Sequence, residues 1–91
     1  MAVSDKLKML PHSPGVYRFK DSEGTIIYVG KAKDLKNRVS QYFHSSATKN
    51  RKTTVMVSKI ADIEHTVVSS EEDAFLLGIY LIKEHFPRYN I

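Results

Sequence analysis

Four residues of this chain have types and spacings that could bring polar aromatic and basic groups together at one functional site: Tyr17, Tyr28, Arg38 and Tyr42. A phenol can exchange a proton with water once nearby positive charge lowers its pKa from about 10. A guanidinium presents a planar fork that bonds two oxygens of one phosphate. Tyr17 lies in "GVYRFK" and Tyr28 in "TIIYVG", and "YVGK" delivers Lys31 directly afterwards. Arg38 and Tyr42 are four apart in a helical pattern and share a face. Any one of these tyrosines alone is more often a packing residue. Their clustering with lysine and arginine around Gly30 favours a site.

The charge distribution points the same way. The net charge is +4, yet residues 31–59 carry Lys31, Lys33, Lys36, Arg38, Lys49, Arg51, Lys52 and Lys59 against one acid, Asp34. Such a stretch suits a phosphate-backbone binder, because each cation that neutralises a phosphate releases counterions. Lys31, Lys33, Lys36, Arg38, Arg51 and Lys52 are the expected DNA contacts. An ordinary solvated basic face has the same composition.

Other chemistries find little support. His12, His44, His65 and His85 lie in different elements without metal-ligand spacing. "YVGKAKDL" lacks the G-x-x-x-x-G-K-S/T phosphate loop, and no serine sits in a nucleophile elbow. The absence of cysteine excludes disulfides and thiolate metal sites. No apolar run suits a signal peptide or a bilayer span, so a soluble, cytoplasmic domain is expected.

The elements that must position these residues can be read from local pattern. A helix over "SDKLKML" is expected to be capped by Ser4 and ended by Pro11. Strands over 15–20 and 25–30, joined by "DSEG", form a hairpin. Asp34 caps a helix over 34–43, and "HSSATKNRK" (44–52) is a basic loop. "TTVMVSKI" (53–60) reads equally as strand or short helix. A third strand covers 63–68. The last helix, 71–86, opens on Ser69–Glu72 as an S-x-x-E capping box and stops before Pro87. The fold class is therefore α+β: one domain over 1–91, a small three-stranded antiparallel sheet flanked by helices, with a shallow, charged site. One residue is out of place. Gly78 sits in the middle of the last helix, where glycine costs roughly 1 kcal/mol relative to alanine.

"SPGVYRF" followed by "YVGKAKDLKNRVSQYF" resembles the GIY-YIG endonuclease motif, in the form GVY…YVG. With "LPHSPGVY", "SSEEDAFLL" and "LIKEHFPRYNI", the chain from about Leu10 to Ile91 is similar to the amino-terminal domains of the bacterial UvrC excinuclease family. The literal "GIY" at 78–80 falls inside the last helix and is a coincidence. The resemblance implies a GIY-YIG fold and a DNA endonuclease of nucleotide excision repair that makes the 3′ incision near a lesion. Its substrate would be damaged double-stranded DNA, its cofactor one divalent cation (Mg²⁺ or Mn²⁺), and its partner the UvrB component of the excinuclease. That partner would bind through further domains, making residues 1–91 an amino-terminal fragment.

Site roles follow from the same resemblance. Gly15 and Gly30 are the motif glycines, and Tyr28 is the general base, its pKa lowered by Lys31 and the metal. Arg38 stabilises the phosphate, Tyr17 and Tyr42 orient water, phosphate or metal, and Asn90 holds the geometry. The metal-binding glutamate falls at Gly78, where the side chain is missing. Glu71, Glu72, Asp73 and Glu84 are poorly placed to replace it, so weak metal binding and reduced cleavage are expected. The alternatives are a non-catalytic DNA-binding module, another GIY-YIG repair nuclease, or a Gly78 that merely lets the helix pack closely on the hairpin.

Overall fold

Alternation along "GVYRFK" sends Val16 to one side of the sheet and Tyr17 and Phe19 to the other. All three are almost fully buried, because helices cover both sides. The computed structural model describes residues 2–44 and 50–90; Lys49 and most of the expected basic loop lie outside them. The elements run α1 (Val3–Met9), β1 (Gly15–Lys20), β2 (Ile26–Ala32), α2 (Leu35–Gln41), α3 (Arg51–Lys59), β3 (Asp62–Val67) and α4 (Glu71–His85). The strands form one antiparallel sheet in the order β2-β1-β3, as the α+β reading requires.

The larger core joins Tyr17, Phe19 and Ile27 to Leu35 and Val39 of α2, Met56 of α3, and Leu10 and Ile63. The smaller lies on the opposite face, where Val16 and Val29 meet Ala74 of α4, flanked by Leu77, Leu81 and Ile82. β1 is thus buried on both faces, and β2 and β3 are the edges. Asp34 caps α2 as expected, accepting the Asn37 N–H at 3.0 Å.

Several local expectations need correction. Ser4 does not cap α1; the N-cap is Ala2, without a side-chain bond. β2 runs two residues past Gly30, because Lys31 and Ala32 pair with Val16 and Gly15. The ambiguous segment is helical: Asn50 accepts the Thr53 N–H at 2.7 Å and starts α3 at Arg51. In that helix Met56 enters the core and Val57 packs against it, while Val55 stays exposed. The cap and the one-sided apolar face outweigh the β-branched composition. α4 starts one residue later than the Ser69 box implies. Ser70 accepts the Asp73 N–H at 3.1 Å, and the Asp73 carboxylate accepts the Ser69 hydroxyl at 2.7 Å. The helix closes at Phe86, whose φ of 45° puts it in the left-handed C-cap conformation just before Pro87.

Candidate active site

The two motif glycines make room for the site. Gly30 pairs with Tyr17 across the hairpin, and a Cβ at 30 would fall on the Tyr17 hydroxyl and ring carbons. A Cβ at Gly15 would strike the Thr66 carbonyl and the Leu35 side chain. The Tyr17 ring therefore lies over bare backbone. A register shift after Phe19 leaves Ile27 as an extra residue in β2, so that Ile27 and Tyr28 both serve the larger core. Bulges of this kind re-aim side chains beside active sites, and this one aims Tyr28. It carries no signature in "TIIYVG".

Tyr42, the C-cap of α2, completes the cluster. Its hydroxyl is 3.0 Å from that of Tyr17. The Tyr17 and Tyr28 ring centroids are 6.2 Å apart, Tyr28 and Tyr42 6.3 Å, and Tyr17 and Tyr42 6.0 Å. The Arg38 guanidinium carbon lies 5.5 Å from the Tyr42 ring centroid, a cation–π arrangement set by their four-residue spacing. The sequence-predicted quartet is thus assembled, with Tyr17 on the central strand and Tyr28 on an edge strand.

Electrostatics at the cluster differ from expectation. Burial, then Tyr42, pushes the Tyr28 phenol up to about 12. Burial raises Tyr17 as well, assisted by Tyr42 and Tyr28. The positive charge that opposes these shifts is Arg38 rather than Lys31. Arg38 in turn is held above its usual pKa, chiefly by Tyr17. Tyr17 and Tyr28 are therefore protonated at neutral pH and able to donate hydrogen bonds.

Asn90 sits at the outer edge of β2. Its carbonyl accepts the Val29 N–H and its amide donates to the Val29 C=O, both at 2.8 Å. The neighbouring Tyr89 N–H bonds the Ile27 C=O at 3.0 Å. A single asparagine side chain thus mimics a fourth strand and pins the segment that carries Tyr28.

The basic residues divide. Lys31, Lys33 and Arg38 line an open groove of about 480 Å³ with Asn37, Gln41, Asp34 and Glu71, and Lys33 meets Glu71 at 3.5 Å. Lys36 is turned toward α1, donating to the Lys8 carbonyl at 3.4 Å. Arg51 and Lys52 occupy the first turn of α3, at the positive end of the helix dipole. Lys52 also lines a slot beside Tyr28. Tyr89, Met56 and Thr53, which share that slot, were missed from sequence; the adjacency of Tyr89 to Asn90 was the available signal.

Gly78 faces a second groove, of about 230 Å³, lined by Tyr28, Gly30 and Lys31 together with Phe75, Ile79 and Ile82. A Cβ built there meets nothing within 4 Å, which overturns the close-packing explanation. The space for a side chain aimed at Tyr28 exists, and the side chain does not. Among the described residues no three His, Cys, Asp or Glu come together. Glu71 is engaged by Lys33 and Asp73 by Ser69. The residues present therefore do not fit a divalent cation held by a protein carboxylate.

An antiparallel three-stranded sheet with a tyrosine over a glycine, a second tyrosine on its edge strand and a helical arginine beside them defines a GIY-YIG domain. A family model described as the UvrC-like GIY-YIG domain matches residues 13–91, and the chain belongs to that family. It is 56% identical over 89 residues to UvrABC system protein C of Streptococcus agalactiae, covering 98% of this chain and 15% of that protein. Against UvrABC system protein C of Symbiobacterium thermophilum it is 52% identical over 91 residues, covering 100% of this chain and 14% of the relative. The chain thus spans about 15% of the length of the curated relatives it matches.

Among solved structures it matches the GIY-YIG N-terminal endonuclease domain of UvrC from Thermotoga maritima, bound to its catalytic divalent cation, magnesium. The TM-score is 0.84 at 38% identity, over 97% of this chain and 94% of that one. Cation-bound variants of that domain, one with a tyrosine replaced by phenylalanine and one with an asparagine replaced by alanine, match with TM-scores of 0.85 and 0.84.

Proposed function

We propose that this chain is the DNA-incising domain of a nucleotide excision repair nuclease, built to hydrolyse a phosphodiester 3′ to a lesion but without the carboxylate for its cation. The observation that carries this reading is the convergence of Tyr17, Tyr28 and Tyr42 beside Arg38, on the rim of a cationic groove. Arg38 bonds two non-bridging oxygens and stabilises the charge that develops on phosphorus. Lys31, at the mouth of both grooves, meets the phosphate. Tyr17 and Tyr42 fix the position of the attacking water, and Asn90 keeps β2 in register. Tyr28 accepts the water's proton. With its pKa near 12 it is a phenol at neutral pH, and it becomes a useful base only when further positive charge is supplied. The relatives' divalent cation is such a charge, and position 78 offers nothing to hold it.

The substrate is damaged double-stranded DNA in the cytoplasm, with the UvrB component of the excinuclease as the partner of the longer protein. Among the described residues no helix is long and apolar enough to cross a membrane. Gly78 favours a second reading, a DNA-binding module that retains the cationic face and has lost cleavage.

Nicking of a lesion-bearing duplex with Mg²⁺ or Mn²⁺ decides between them. The unaltered chain should cut weakly or not at all, Gly78→Glu should nick, and adding Tyr28→Phe should abolish the gain. Robust nicking that survives Tyr28→Phe would remove the nuclease reading. A folded Gly78→Glu protein that binds DNA and never cuts would support the binding module.

A further inference from the structure

Tyr28 is shared by two openings on opposite layers. One is the Gly78 groove beneath α4. The other is a slot of about 190 Å³ toward α3, walled by Tyr28, Tyr42, Lys52, Thr53, Met56 and Tyr89. Three tyrosine rings and a thioether give the slot flat, polarisable walls, and Thr53 adds a hydroxyl. Its volume lies below the roughly 300–1,000 Å³ of pockets that enclose a drug-sized ligand, so it suits a single planar ring system. The walls are fixed. Met56 is 4% exposed, Tyr42 is bonded to Tyr17, and the Tyr89 backbone is bonded to β2. Cations flank the slot: Lys52 lines it, and the Arg88 guanidinium carbon lies 5.4 Å from the Tyr89 ring centroid. An aromatic slot with cations at its rim is the arrangement that stacks a nucleobase while its phosphate is neutralised outside.

Building on the nuclease reading, we infer that this slot receives one unstacked nucleobase of the bound strand, next to the phosphate held at Tyr28. Entry requires the base to leave the duplex. That costs least for a base already unpaired or damaged, so the slot biases the domain toward such positions.

The 91-residue chain tests this directly. Its Met56 methyl resonance is followed during titration with two duplexes, one fully paired and one with a single-base bulge, and affinities are read by anisotropy. The bulged duplex should bind about tenfold or more tightly and shift the Met56 methyl by ring current. Tyr89→Leu should weaken the bulged complex by about 5- to 100-fold and leave the paired one nearly unchanged, while Tyr89→Phe retains both. A bulged complex that forms without moving Met56 overturns the slot and leaves the nuclease reading standing. Equal weakening of both duplexes by Tyr89→Leu does the same. Failure of both duplexes to bind overturns the slot and the nuclease reading together.

Discussion

A side chain at position 30 would strike the Tyr17 hydroxyl, whereas one at position 78 would enter open space. The same substitution should therefore have opposite signs at the two glycines. Gly78→Ala removes a helix-interior glycine without a clash and should stabilise the fold by about 1 kcal/mol in urea unfolding. Gly30→Ala overpacks the core and should destabilise it by about 1–3 kcal/mol. A destabilised Gly78→Ala would mean that the α4–sheet groove is not open in solution. Chemistry at position 78 can be supplied separately from the fold. Gly78→Glu should tighten Mn²⁺ binding by roughly 100-fold or more, since even groups that only support a ligand are worth 10–100-fold. Millimolar formate should partly restore Mn²⁺ binding to the unaltered chain.

Tyr28 gives a pH prediction at the same scale. Its phenol titrates near 12 in the fold and near 10 when exposed. The unfolded chain therefore loses that proton first, and stability should fall as pH rises from about 10 through about 12. The Tyr28→Phe protein should lose part of that slope, together with the tyrosinate absorbance that appears near pH 12. An unchanged alkaline slope would place Tyr28 in solvent.

Among the elements, β2 carries the greatest burden. It is an edge strand, it contains the bulge that aims Tyr28, and Asn90 guards its outer side. Open strand edges invite pairing with other chains, and a side-chain amide that satisfies both Val29 groups closes this one. Asn90→Ala leaves that N–H and C=O unpaired, at a cost of about 1–3 kcal/mol. Hydrogen exchange at the Val29 amide should accelerate accordingly, and activity restored through Gly78→Glu should drop without loss of Arg38-dependent DNA binding. Unchanged protection at Val29 would assign Asn90 some other role.

For the whole molecule, the placement of ion pairs shapes the field that a polyanion meets. Lys6 pairs with Asp62, and Arg18 and Lys20 pair with Glu64. These partly buried pairs balance the charge on the β3 side. The openings beside Tyr28 are lined by Lys31 and Lys52, Arg38 and Lys31 line the adjoining groove, and Arg51 stands in the first turn of α3, at the positive end of the helix dipole. Duplex affinity should therefore fall steeply with salt. Lys31→Ala and Lys52→Ala should each reduce the log–log slope by about one. A slope near zero would remove the electrostatic case for DNA.

Much of this was legible because it is local. The order of strands and helices, the Asp34 cap, the four-residue spacing of Arg38 and Tyr42, and the two motif tyrosines depend on neighbours in sequence. So does the anomaly at Gly78, since helix propensity is a local quantity. Tertiary structure decided what depends on distant atoms. α3 became a helix because Met56 had a core to enter, and the Ile27 bulge exists because β1 and the larger core accept two adjacent side chains. The Tyr28 phenol rose to about 12 because burial and Tyr42 outweigh Arg38. Whether Gly78 was a tight fit or an open space depended on the gap between α4 and β2, to which residues from distant parts of the chain contribute. By itself the sequence determined that a glycine interrupts the last helix; the packing decided that it faces open room beside Tyr28.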